Sequence, residues 1–327
     1  MSVLNRWSIR GVIPCLLVSL SACGPIVLMP SELLDGARKS EDIALFLAVQ
    51  RADQLSSGNA TLGEAGPIGK LGSVRLSARA SMTRQATPDL SGVPISTESS
   101  ESSTIPVSKT SATSLVVDGA FGVWRGIRIG ETYFGGLNVL GRVALLSRYG
   151  DTPLDVSSDD NLAFGFGFRM GILEESARTP GIAVSWMAHG LPAIAFGPDP
   201  LQTTAGGAIS LALRSTDMDA RQFRIAASKE FGAIGVTAGY GSNSLTGTAA
   251  FSAVGLGTGT QPAHSWENYI EVERRLMFAG VSYRTGPFTF AGEAGRLTGD
   301  APFSSNDFAD QGDWARNYLS VGVRVGR

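Results

Sequence analysis

The stretch Asn161–Leu173, NLAFGFGFRMGIL, decides the fold. Successive side chains of a strand point to opposite faces of a sheet. Leu162, Phe164, Phe166, Phe168, Met170 and Ile172 therefore share one face, and Ala163, Gly165, Gly167, Arg169 and Gly171 share the other. The first face is large and oily; the second is tiny and carries one charge. A strand in a soluble sandwich would put its bulky residues in a core and Ser, Thr or Lys outside. Glycine and arginine suit instead the crowded, wet interior of a small barrel whose outside touches lipid.

Outward from that strand, the same alternation recurs. Ser73–Arg84, SVRLSARASMTR, sets Val74, Leu76, Ala78, Ala80 and Met82 against Arg75, Ser77, Arg79, Ser81 and Thr83 without a fault. It reads as the first barrel strand. Leu115–Trp124, Asn138–Arg148, Leu162–Leu173 and Gly181–His189 follow. Gly206–Phe231 reads as one long bent strand or as two. Ile234–Gly241, Glu271–Arg284, Phe288–Leu297 and Tyr318–Val325 complete the set. The expected fold class is all-β: an antiparallel transmembrane β-barrel of about ten strands, within a range of eight to twelve, with a short N-terminal helix. Only the even count of ten puts every long polar connection (Gln85–Thr113, Tyr149–Asp160, Leu191–Ala205, Ser242–Ser265, Thr298–Arg316) at one end. The short turns then fall together at the other. Long outside and short on the periplasmic side is the arrangement of outer-membrane barrels.

Trp124, Trp266, Tyr269, Tyr283, Phe288, Trp314 and Tyr318 sit at or beside strand ends, where aromatic girdles lie. Trp186 sits in mid-strand and does not fit that pattern. From Ser73 to Arg327 the chain thus resembles bacterial outer-membrane β-barrels in pattern, with no particular family indicated. It departs from them at its last residues, Arg324-Val325-Gly326-Arg327, where such barrels commonly end in an aromatic residue.

The chain has 327 residues, 41 of them glycine, and only 17% are charged. Its mean hydropathy is +0.10, yet the main apolar run near the start, Val12–Leu20, is shorter than the ~20 residues a membrane helix needs. That run follows Arg6 and Arg10 and reads as the core of a signal peptide over residues 1–22. Leu20-Ser21-Ala22-Cys23 resembles the lipobox of bacterial lipoproteins, which implies an acylated Cys23 as the mature N-terminus and a lipid-anchored protein of the outer membrane. Residues 23–72 are then a lipidated linker with a helix, and 73–327 the barrel. The other cysteine, Cys15, lies in the leader, so a mature chain has no disulfide and no thiolate metal site. Removing Arg6 and Arg10 from 27 basic residues leaves 25 against 29 acidic ones, a net charge of −4. There is no basic footprint for nucleic acid. The expected partners are outer-membrane lipid and a small solute.

Ser31–Leu55 carries a rough helical stripe in Leu33, Leu34, Ala37, Ile43, Leu45, Phe46, Val49 and Ala52. Two placements follow: an amphipathic helix under the barrel or along the membrane, which this reading favours, and a plug in the lumen.

Chemistry in the sequence is sparse. His189 and His264 have no third ligand near them, and neither HExxH nor a calcium loop occurs, so no metal or other cofactor is expected. Ser185 and His189 share the inward face of one strand but stand roughly 13 Å apart, too far for the direct bond of a nucleophile and its base. The chain is accordingly read as no enzyme, with a lipid-active hydrolase using His189 kept as the remotest alternative. The lumen-facing candidates are Arg75, Arg79, Arg142, Arg169, Glu293 and Arg324, with Glu271 and Glu273 of uncertain phase. Buried charges must pair, so they form either a bracing lattice in a filled lumen or the lining of a narrow channel. The functional expectation is a porin-like or small-solute transport barrel, with a structural or surface-binding barrel as the alternative. A soluble β-rich lipoprotein is the architectural rival.

Overall fold

The computed structural model describes residues 31–58, 64, 71–88, 105, 107–147, 161–195, 200–202, 208–256, 264–299 and 315–326. The expected signal peptide over residues 1–22, Cys23 and Trp314 lie outside these. One helix, α1 (Ser31–Ser56), precedes twelve strands. These are β1 (Val74–Pro88), β2 (Val107–Trp124), β3 (Ile127–Ile129), β4 (Thr132–Leu146), β5 (Leu162–Leu173) and β6 (Gly181–Gly190). After them come β7 (Pro200–Gln202), β8 (Ala208–Phe231), β9 (Ile234–Leu256), β10 (His264–Thr285), β11 (Phe288–Thr298) and β12 (Arg316–Gly326).

Ten of the strands form a closed antiparallel barrel. Neighbours run β2-β1-β12-β11-β10-β9-β8-β6-β5-β4, and β4 pairs back onto β2 through Ser114↔Leu146 to Trp124↔Leu137. Closure leaves no open sheet edge, the condition for crossing a bilayer with strands. The short β3 and β7 add only to β4 and β8.

Alternation fixes which face is out. Phe164, Phe166 and Phe168 are 61%, 68% and 46% exposed, while Ala163 and Arg169 between and beside them are buried. Outward rows on β1, β2, β4 and β12 read the same way, with Leu76, Val117, Val143 and Val321 exposed. No second sheet or helical layer covers these rows among the described residues, so the sandwich alternative falls. Tight turns at one end hold the register. Phe231↔Ile234 and Thr285↔Phe288 bracket two-residue loops whose first residue, Gly232 or Gly286, has positive φ, as such hairpins require.

Two expectations change and an open one is settled. Of the two readings of Gly206–Phe231, the single strand holds over its described part, Ala208–Phe231, with an irregularity at Leu213/Ser215. The stretch after Gly241 is not a loop: β9 continues to Leu256, paired to β8 on one side and β10 on the other. Its Ser, Thr and Gly content hides inward Leu245, Ala249 and Phe251, which bury as a strand face does. The connection after β1 is also shorter than expected, because Val107–Thr113 pairs with Met82–Pro88.

The barrel is therefore taller on one side. A membrane strand needs about 9–11 residues, whereas β8, β9 and β10 have 24, 23 and 22. The outward apolar rows stop at Phe223, Tyr240 and Met277. Beyond them most described outward positions are polar or charged, among them Asp219, Arg221, Ser242, Glu273 and Arg275, with Tyr269 the one large aromatic among those described. These three strands stand above the belt as a wall at the long-loop end.

Candidate functional site

The lumen is the site, and α1 fills it. Its residues Ile43, Phe46–Val49 and Ala52–Ser57 are all 5% exposed or less. This corrects the favoured reading of a helix under the barrel. Ten strands about 4.8 Å apart and tilted about 40° enclose a backbone cylinder roughly 20 Å across. A helix with side chains takes about 10–12 Å of that, so the facing wall must be built of small residues. It is: Ala112, Ala144, Ala163, Ala220, Ala249, Ser81, Ser114 and Ser320 all point inward and are buried.

The two halves of α1 meet different chemistry. Its upper half, Ile43 to Ala52, joins Met218, Ala220, Leu245, Ala249, Phe251, Ile270 and Val272 in one apolar cluster on the inner side of the projecting wall. Trp266 stacks on Phe251 at 5.6 Å there, so it serves this cluster and no girdle.

The lower half buries Leu55 in a small apolar cluster with Val116, Ala144, Leu146 and Ala163 and is otherwise held by polar side chains. A helix leaves its last four carbonyls without partners and its C-terminus partly negative. Arg142 Nη1 donates to the Leu55 carbonyl at 3.1 Å, and Arg224 donates to the carbonyls of Ser56 and Gly58. Ser114 and Ser81 donate to the Gln54 and Ser57 carbonyls, each at 3.4 Å. Gln222 bonds the Ser56 hydroxyl at 3.1 Å, and the Ser147 backbone and hydroxyl reach Gln54 Oε1 at 3.2 and 3.0 Å. Higher up, Arg274 grips both carboxylate oxygens of Asp53 at 3.3 and 3.1 Å.

Asp118 anchors this network. It meets Arg79 at 2.8 Å and Arg142 at 2.6 Å, with all three side chains almost fully buried. Below, Glu64 pairs with Arg324 at 3.0 Å and with Arg75, while Arg169 donates to its carbonyl at 3.2 Å. Glu293 accepts from the Tyr318 hydroxyl at 2.7 Å, which places Tyr318 in the lumen and not in a girdle. Arg75, Arg79, Arg142, Arg169, Glu293 and Arg324 thus all point inward, as does Arg224, which the sequence reading left out. Glu271 and Glu273 are exposed on the outer face of β10, above the belt. Tyr269, Tyr283, Phe288 and Trp124 are outward and exposed, and Trp186 stacks on Phe168 at 5.7 Å on the lipid side.

His189 sits inside this packing. Its Nε2 is 3.5 Å from Arg142, and its ring lies over Gly165, where an added Cβ would come within 2.1 Å of it. The arrangement packs an imidazole among arginines and offers no partner hydroxyl among the described contacts. No group of three or more His, Cys, Asp or Glu side chains among the described residues is placed to hold a metal ion.

A closed antiparallel barrel with an apolar belt outside and a polar, filled interior is an outer-membrane β-barrel. Among the described residues no helix is long and apolar enough to cross a membrane, which says nothing of a β-barrel. No protein-family model and no curated protein matches the chain. Solved structures do. Neisserial surface protein A is 10% identical, with a TM-score of 0.26, covering 77% of this chain and 96% of its own. The attachment invasion locus protein Ail of Yersinia pestis is 10% identical, with a TM-score of 0.25, covering 79% and 100%. The transport unit of the autotransporter AIDA-I from Escherichia coli is 8% identical, with a TM-score of 0.30, covering 87% and 98%.

Proposed function

We propose that this chain is a small-solute barrel of the outer membrane kept shut by its own helix. One observation carries the reading: apart from Leu55, which clusters with Val116, Ala144, Leu146 and Ala163, the lower half of α1 is held by side-chain bonds from Arg142, Arg224, Gln222 and Arg274. Water can replace such bonds when the helix shifts, whereas an exposed apolar wall would collapse. With α1 displaced, Arg79, Arg142, Arg169, Arg224 and Arg324 would line a passage about as wide as the helix, ~10 Å. That lining favours anionic or hydrogen-bonding solutes over apolar ones.

Planar-bilayer recording tests it. The full chain is expected to stay mostly closed, and a chain lacking 31–58 to conduct steadily with anion preference. A helix-deleted barrel that still shifts on heating in gels, and so is folded, yet never conducts would overturn the reading. The alternative is then a structural or surface-binding barrel, favoured by the wall of β8, β9 and β10 that stands above the belt.

A further inference from the structure

The direction of α1 in the barrel carries a conclusion about the surface of the cell. Descending the helix, Phe46 shares a cluster with Phe251, Asp53 meets Arg274, Ser57 meets Ser81, and Glu64 meets Arg324. Phe251 stands 17 residues along β9 from Ile234 at its turn. Arg324 lies beside Thr289, one residue past the start of β11 at the same turn end. The helix therefore enters from the long-loop end and points its C-terminus toward the short-turn end.

The upper contacts lie outside the bilayer. A belt of about 9–11 residues per strand ends well before Phe251, with Ser242 marking its edge on the same strand and Arg275 on the neighbouring β10. Ile43 is already in the cluster on the projecting wall, and α1 continues without a break for twelve residues to Ser31. At 1.5 Å per residue that adds about 18 Å in the outward direction. Two-residue hairpins at one end and long connections at the other set the short-turn end in the periplasm.

We infer that α1 is threaded through the barrel from outside to inside, so that its N-terminal end is presented at the cell surface. The polar bonds around Leu55–Gly58 are the lock that holds the helix in that direction. This stands whether or not the lumen ever conducts.

The test is epitope access on intact cells making the full chain. One tag goes between Pro30 and Ser31, a second into the outer connection between Gly299 and Ala315, and a third into the turn at Gly286. Antibody that does not cross the membrane is expected to label the first tag as it labels the second, at least ten-fold above the third. Labelling of the Pro30/Ser31 tag only after permeabilisation, like the turn tag, would overturn the inference. Heat-shifted migration confirms that each tagged barrel is folded. Should the tag block folding, a four-residue protease site at the same junction takes its place. Cleavage by protease added to intact cells supports the inference, and cleavage only after lysis refutes it.

Discussion

At the scale of single residues, the lumen works because a few positions leave no room for substitution. Gly58 ends α1 with φ +88°, and a Cβ there would sit 2.8 Å from Arg79 Nε and 3.0 Å from Ser320 Oγ. Gly58→Ala therefore adds about 1–2 kcal/mol of backbone strain and pushes Arg79 from Asp118. The temperature at which the folded gel band converts to the unfolded one should fall, and an unchanged midpoint would show that the cap is not tight. Arg142 matters in a different way. It neutralises Asp118 and satisfies the Leu55 carbonyl at once. Arg142→Met strands part of a buried ion pair, which typically costs about 3–5 kcal/mol, and the same conversion assay should register it as a far larger loss than Gly58→Ala. Removing the more exposed ion pair Arg284–Glu230 should change the midpoint little, because such pairs contribute only about 0–1 kcal/mol.

At the scale of elements, helix and wall are separable. Phe46 is 1% exposed in the apolar cluster above the belt. Phe46→Ala removes a core side chain, a change that costs about 3–5 kcal/mol, and here the loss falls on docking of α1. Backbone amides of Ala48–Gln54 should exchange faster with solvent while those of β5 keep their protection; equal loosening of both would mean that the barrel depends on its plug. The sequence made the strands plain and the plug obscure, for one reason. A lipid-facing strand alternates large apolar with small or charged residues, and Leu162–Leu173 does so without interruption. The helix has no such signature: buried all round from Phe46 to Ser56, it carries Gln50, Arg51, Asp53 and Gln54 beside its apolar residues, and a stripe so diluted reads as a surface helix. The clue lay in the wall. Alanine and serine at Ser81, Ala112, Ser114, Ala144, Ala163, Ala220 and Ala249 leave a ten-stranded lumen too empty unless something fills it. The same kind of masking hid the upper half of β9, where glycine, serine and threonine outnumber the inward Leu245, Ala249 and Phe251. The inward arginines were legible because they fall between oily neighbours. Arg224 escaped notice because Gly206–Phe231 had no settled phase while one strand and two remained open.

At the scale of the whole molecule, the boundary between belt and wall is what the membrane reads. The oily rows end at Phe223, Tyr240 and Met277, and the charged outward positions begin at Arg221 and Arg275 on strands that run on unbroken. Lipid contact should thus change the value of one substitution along a single face. Phe166 lies near the middle of the belt on β5, 68% exposed and flanked by Phe164 and Phe168. Placing arginine at the bilayer midplane on the lipid side of a barrel costs about 2–4 kcal/mol, so Phe166→Arg should cut sharply the fraction that folds into phospholipid vesicles. Glu271 also faces outward, but on β10 beyond Met277, where water and not acyl chain surrounds it. Glu271→Arg makes a larger change in charge, yet surface substitutions of this kind stay within about 0.5 kcal/mol, and folding into vesicles should hardly change. Heat-shifted migration of both variants refolded side by side reads the difference. Equal tolerance of the two would mean that the phenylalanine row does not meet lipid. Failure of Glu271→Arg to insert would bring the wall of β8, β9 and β10 down into the bilayer, and with it the upper half of α1, leaving no reason for the helix to reach the surface.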